Sequence, residues 1–165
     1  MKKIIFLIIL FTADIILSQP DTTFKEQDLI ISLLKNYFAH VDNKDIDGMY
    51  RFFAMPIVLH FNADKPYHIK DREEFDAIFS AWDRSPNSNF HSTRIDSIRV
   101  NNVLFNYFCV ADVTYSRLDN KGNTINQQRL LYNFVKGDKF GPLGLLIKWF
   151  KAWKIYMITN VEIVE

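Results

Sequence analysis

Apolar residues recur every three or four positions in the first half of this chain and every second position in the second half, so helices are expected first and strands after them. Thr23-Phe24-Lys25-Glu26 has capping-box spacing, and Ile30, Leu33, Leu34, Tyr37, Phe38 and Val41 then form one apolar stripe, which predicts a first helix opening at Thr23. A polar break at Asp42-Asn43-Lys44 leads to a short second helix from about Asp45, with Ile46, Met49, Tyr50 and Phe53 inward, ending before Pro56. Asp71 and Glu74 again have capping spacing, ahead of a third helix whose apolar face is Phe75, Ile78, Phe79 and Trp82. Between the second and third helices, Ile57 to Phe61 and Tyr67 to Ile69 read as a strand and its hairpin partner. From Phe90 the period is two, and strands of about 90 to 101, 103 to 118, 124 to 136 and 152 to 164 are predicted, with turns at Asn101-Asn102 and Asp119-Asn120-Lys121-Gly122. In the second of these strands the odd positions from Val103 to Tyr115 are almost all apolar and the even ones include Asn106, Asp112, Thr114 and Ser116, so one face is core and the other partly wet. Consecutive hairpins make a mainly antiparallel sheet. The fold class is α+β.

The first residues follow a different rule. Met1-Lys2-Lys3 and the apolar run Ile4 to Phe11 form the n- and h-regions of a secretory signal peptide, with cleavage expected after Ser18; an uncleaved anchor or a buried first helix is the alternative. The run is too short, and too interrupted by Asp14, to span a bilayer as a finished helix. Residues 19–165 are expected to form a single domain, secreted or periplasmic. The whole chain has 20 basic and 19 acidic side chains; losing Lys2, Lys3 and Asp14 leaves the remainder neutral, which argues against a nucleic-acid partner. Cys109 is the one cysteine, so no internal disulfide forms, and its place between Phe108 and Val110 predicts a buried inert thiol. Fifteen phenylalanines, seven tyrosines and three tryptophans exceed what a core of this size needs, and the surplus points to a lined cavity or an interface.

Tyr37-Phe38 with Asp45, Phe52-Phe53-Ala54-Met55-Pro56 ahead of the first strand, Gly122 in a hairpin and Trp153-Lys154-Ile155 in the last strand give the chain its resemblance to the nuclear-transport-factor-2-like superfamily, which includes SnoaL-like cyclases, ketosteroid isomerases and scytalone dehydratase. The resemblance covers residues 24 to 164. It implies a cone in which about three N-terminal helices pack in a curved sheet around a pocket, and frequent dimerisation through the outer sheet face. Aromatic faces converging on such a pocket make Tyr37, Tyr50, Phe53, His60, Phe79, Trp82 and Tyr132 the expected contacts of a small, mostly apolar ligand.

The isomerases that the chain resembles use an aspartate base with a tyrosine and a protonated acid as oxyanion donors, and the dehydratases a histidine and aspartate pair. Among Tyr37, Asp42, Tyr50, His60, His68, His91, Asp112, Arg129 and Tyr132, no pair aligns residue by residue with either set. His60, among Ile57, Val58, Leu59 and Phe61, and Asp112, between Ala111 and Val113, are the candidates for proton transfer; the alternatives are a sheet histidine bonded to backbone and a wet or dimer-facing aspartate. The histidines are scattered and lack ligand spacing, so no metal and no cofactor are expected. Three readings stand: a ligand-binding protein, an isomerase, dehydratase or cyclase, and an interaction module whose core fills its own pocket.

One segment departs from the expected pattern. Residues 137 to 151 insert Phe140, Leu143, Leu145, Leu146, Ile147, Trp149 and Phe150 where a short turn is usual, with Lys148, Lys151 and Lys154 three residues apart. A lid, a dimer contact, peripheral contact of 140–151 with an anionic membrane, and a strand extension against the core are the alternatives.

Overall fold

The computed structural model describes residues 26–61, 65–82, 89–104, 107–137 and 152–161. The expected signal segment 1–18, Thr23 and residues 138–151 therefore lie outside the described residues. Helix α1 (Gln27–Asp42) and the short α2 (Ile46–Tyr50) come first, then strands β1 (Phe53–His60) and β2 (Tyr67–Ile69), helix α3 (Arg72–Trp82), and strands β3 (Ser92–Leu104), β4 (Phe108–Leu118), β5 (Thr124–Gly137) and β6 (Ala152–Val161). The six strands form one curved sheet in the order β2-β1-β6-β5-β4-β3, antiparallel throughout except where β1 runs parallel to β6.

The apolar stripe of α1 buries Ile30, Leu34, Tyr37, Phe38 and Val41 against the inner sheet face, where Tyr37 and Phe38 meet Tyr132 edge-on at 6.0 and 5.9 Å. The helix starts at Gln27, later than the expected opening at Thr23, and Glu26 precedes it with its side chain turned to the sheet instead of the backbone. Asp45 caps α2 by accepting from Gly48 N at 2.9 Å and bonds His40 Nδ1 at 2.7 Å. A Cβ at Gly48 would lie 2.0 Å from His40 Nδ1, so a larger residue there would displace the His40–Asp45 pair. Phe53, expected on the second helix, is instead the first residue of β1, because α2 stops at Tyr50. Helix α3 has its expected cap: Asp71 Oδ1 accepts from Glu74 N at 3.0 Å, and Glu74 Oε2 accepts from Lys70 N at 2.8 Å.

The sheet corrects one turn. Asn101 and Asn102 sit within β3, opposite Val110 and Cys109, and the chain reverses between Leu104 and Phe108. Val103 thus belongs to β3, where it is exposed, and Tyr107 lies in the turn, its N–H donating to Leu104 O. The alternation expected of β4 holds from Cys109 to Tyr115, all buried at odd positions. Bulges break the simple period elsewhere. In β3, Asp96 is the extra residue between Ile95, opposite Tyr115, and Ser97, opposite Thr114. In β6, Tyr156 is extra, so the inward set changes from Trp153 and Ile155 to Ile158.

Glu26 ties the start of α1 to the sheet. Its carboxylate accepts from Lys136 Nζ at 2.6 and 2.7 Å and from Trp153 Nε1 at 2.9 Å, and Lys136 and Trp153 are themselves cross-strand partners. Burial pushes the Glu26 pKa up, but the bonds from Lys136 and Trp153 outweigh it and hold it below its ordinary 4.5. A depressed folded-state pKa contributes stability above the unfolded value, lost as pH falls through the folded one. Glu26→Gln should therefore cost about 1–3 kcal/mol at pH 7, and the gap from wild type should close below pH 4.5. Urea unfolding of both proteins at pH 7 and pH 3 measures it; an equal gap at both would show that the charge contributes nothing.

Candidate ligand cavity

Between α1, α3 and the inner face of the sheet lies a cavity of about 390 Å³. Helix α1 supplies Tyr37, Phe38 and Val41, and α3 supplies Ile78 and Phe79. The sheet supplies cross-strand pairs: Tyr115 opposite Gln128, Arg117 opposite Asn126, and Tyr132 opposite Ile158. Leu59, Phe61 and Tyr67 complete the wall at the β1–β2 end.

Two chemistries share this space. Rings of Tyr37, Phe38 and Tyr132 pack edge-on or tilted on one another and on Tyr115, with Phe38 and Tyr115 centroids 5.0 Å apart. Nearer the β4–β5 turn the wall becomes polar. There Tyr115 Oη donates to Gln128 Oε1 at 2.5 Å, and the Arg117 guanidinium stacks between the rings of Phe90 at 3.9 Å and Tyr115 at 4.8 Å.

Arg117 is buried, its side chain 9% exposed. Its Nη1 donates to the Thr93 hydroxyl and lies 3.5 Å from Asp42 Oδ1. Asp42 in turn accepts from the Thr93 hydroxyl and, at 3.0 Å, from Thr93 N, so the last residue of α1 is fastened to β3 and β4 together. Burial raises the hydroxyl pKa values of Tyr37, Tyr115 and Tyr132 above 10, the nearby Arg117 charge opposing it in each case, so all three stay protonated as donors.

The structure brings together part of the expected set. Tyr37, Phe79 and Tyr132 line the cavity. Phe53 is buried beside it, its ring 5.7 Å from Tyr37 and 5.4 Å from Phe75, while Tyr50 packs on Phe75 at 5.2 Å under the Arg72 guanidinium. Trp82 ends α3, and its side chain lies outside the described residues. His60 shares a sheet face with Val58, opposite to the buried Ile57 and Leu59, and pairs with Thr159; it does not line the cavity. Asp112 is on the outer face too, where Arg129 grips it with Nε at 2.9 Å and Nη2 at 2.6 Å and holds its pKa low. His68 and His91 are exposed, and His40 serves Asp45. Among the described residues no three of His, Cys, Asp and Glu converge as metal ligands would. Burial, with a smaller push from the Glu26 charge, raises the Cys109 thiol to about 12.

Arg117, Asn126 and Gln128 escaped sequence reasoning. The signal was present, because the odd positions of β4 continue from Tyr115 to Arg117, and Asn126 and Gln128 share the alternate face of β5 with Leu130 and Tyr132.

No protein-family model matches the chain, and no curated protein does. Solved structures do. An NTF2-like protein of unknown function from Shewanella oneidensis MR-1 is 16% identical, covering 82% of this chain and 98% of its own, with a TM-score of 0.58. A domain with a cystatin-like fold from Nostoc punctiforme PCC 73102 is 17% identical over 87% of this chain and 81% of its own, at a TM-score of 0.60. An NTF2-like protein from Novosphingobium aromaticivorans is 9% identical over 85% and 83%, at 0.58. The chain therefore has the NTF2-like, or cystatin-like, fold, with a buried aromatic cluster in its cone.

The two carboxylate–arginine pairs should behave differently. Asp42→Asn strips a buried guanidinium of its anion and should cost about 3 kcal/mol. Asp112→Asn, beside an Arg129 that is 43% exposed, should cost less than about 1 kcal/mol. Urea denaturation of each variant gives both values, and equal losses would contradict the assignment of Arg117 as the buried cation.

Proposed function

We propose that this chain is an exported protein that binds a small, mostly apolar molecule in the cavity between α1, α3 and the sheet. The observation that carries the reading is the volume of about 390 Å³ walled by Tyr37, Phe38, Phe79 and Tyr132, which falls in the range of small-molecule sites and has the usual composition of rings with a few placed polar groups. Export rests on the charged start and apolar run of residues 1–18.

An isomerase, dehydratase or cyclase needs a group in the cavity that accepts a proton near neutral pH. Among the described lining residues there is no carboxylate and no imidazole, and burial keeps the tyrosines protonated. That favours binding over proton transfer.

The test is expression of the full chain with its own residues 1–18, followed by native and denaturing mass spectrometry of the protein recovered from the exported fraction. The denaturing mass should begin at Gln19, and the native mass should exceed it by one discrete ligand. Ile158→Trp, which fills the cavity from β6, should abolish the excess while leaving the circular dichroism spectrum unchanged. A bare native mass, together with no uptake of added naphthalene compounds, would overturn the binding reading; a full-length chain retained inside the cell would overturn export.

A further inference from the structure

The polar end of the cavity carries a cation and no carboxylate among its described lining residues. Arg117 brings a guanidinium, and Gln128, its carbonyl oxygen already taken by Tyr115, presents its amide N–H groups. Opposite Arg117 in register, Asn126 also lines the cavity, its Oδ1 buried with no hydrogen-bond partner. Facing these donors, the described lining residues include no Asp or Glu.

Arg117 is also loosely paired. On the outer face Arg129 holds Asp112 through two nitrogens at 2.9 and 2.6 Å, whereas Arg117 reaches Asp42 through Nη1 at 3.5 Å, because Thr93 occupies the Asp42 carboxylate from closer range. A guanidinium is a planar fork suited to two parallel bonds with a carboxylate, and in a buried setting a poorly paired cation favours an anion that completes it. The stacked rings of Phe90 and Tyr115 hold the plane of the fork in place.

Building on the reading of the cavity as a ligand site, we propose that its ligand is an amphipathic carboxylic acid, bound with its carboxylate at Arg117 and Gln128 and its apolar body against Tyr37, Phe38 and Tyr132. The site thus selects for acids over neutral molecules of the same shape.

The experiment uses a matched pair of probes, 2-naphthoate and 2-naphthalenemethanol, titrated calorimetrically into the full chain, after denaturation and refolding to strip any carried ligand. Wild type should bind the acid at least tenfold more tightly than the alcohol. Arg117→Met should erase that preference while alcohol binding persists, which also certifies that the variant is folded. Gln128→Leu, which leaves the Asp42–Thr93–Arg117 cluster intact, should reduce the preference severalfold. Equal binding of acid and alcohol by wild type would overturn the acid-selective site and leave the cavity reading standing. Binding of neither would overturn both.

Discussion

Helix α1 is held to the sheet by a carboxylate at each end, and everything inside the cone depends on that double fastening. Glu26 reaches Lys136 and Trp153 on β5 and β6, while Asp42 reaches Thr93 and, more loosely, Arg117 on β3 and β4. The 16-residue helix Gln27–Asp42 joins the two as one rigid rod. The hydrophobic stripe supplies most of the attraction, but it is non-directional and would tolerate sliding. The two anions fix where along the sheet the rod lies, and so which of its rings stand over Tyr132.

That placement explains why a cavity persists beside so many aromatic residues. Toward Glu26 the helix packs closely, with Ile30 and Leu34 fully buried. Toward Asp42 the sheet presents Arg117 and Gln128, side chains that cannot close against an apolar helix without losing hydrogen bonds. Rings of Tyr37, Phe38 and Tyr115 brace one another in tilted contacts instead of collapsing into the gap. Polar chemistry at one end of the cone is therefore both the reason the space stays open and the feature that gives it an orientation.

Much of this architecture was legible in the residues. The switch of period from helical to alternating located the helices and strands, and the cap at Asp71 was readable because a capping side chain acts on backbone three residues away. What failed was long-range. Glu26 has the spacing of a local cap, yet its partners are more than a hundred residues on, and no local pattern announces them. The turn misplaced at Asn101-Asn102 followed turn-prone residues that the ladder with Val110 and Cys109 overrides. The site was half visible. Tyr37, Phe79 and Tyr132 were found because large rings mark a face, whereas His60 and Asp112 were drawn to attention by chemistry alone and parity places them outside. The polar wall was missed because the inward alternation was followed only through its apolar positions, which stop at Tyr115, whereas Arg117, Asn126 and Gln128 continue it with polar side chains.

Tyr156 gives the sheet a property that belongs to its history more than to its present chemistry. It sits outside the β5–β6 ladder, between Ile155 opposite Phe134 and Met157 opposite Asn133, and packs its ring toward Phe108 at 5.9 Å. The pairs on either side are those that an uninterrupted ladder lacking this residue would make. Strand length and cavity-facing surface are thus uncoupled at this point: one residue more or less here still presents Ile158 and Asn160 to the same space. A scaffold built this way can drift in length without rewriting the wall of its cavity.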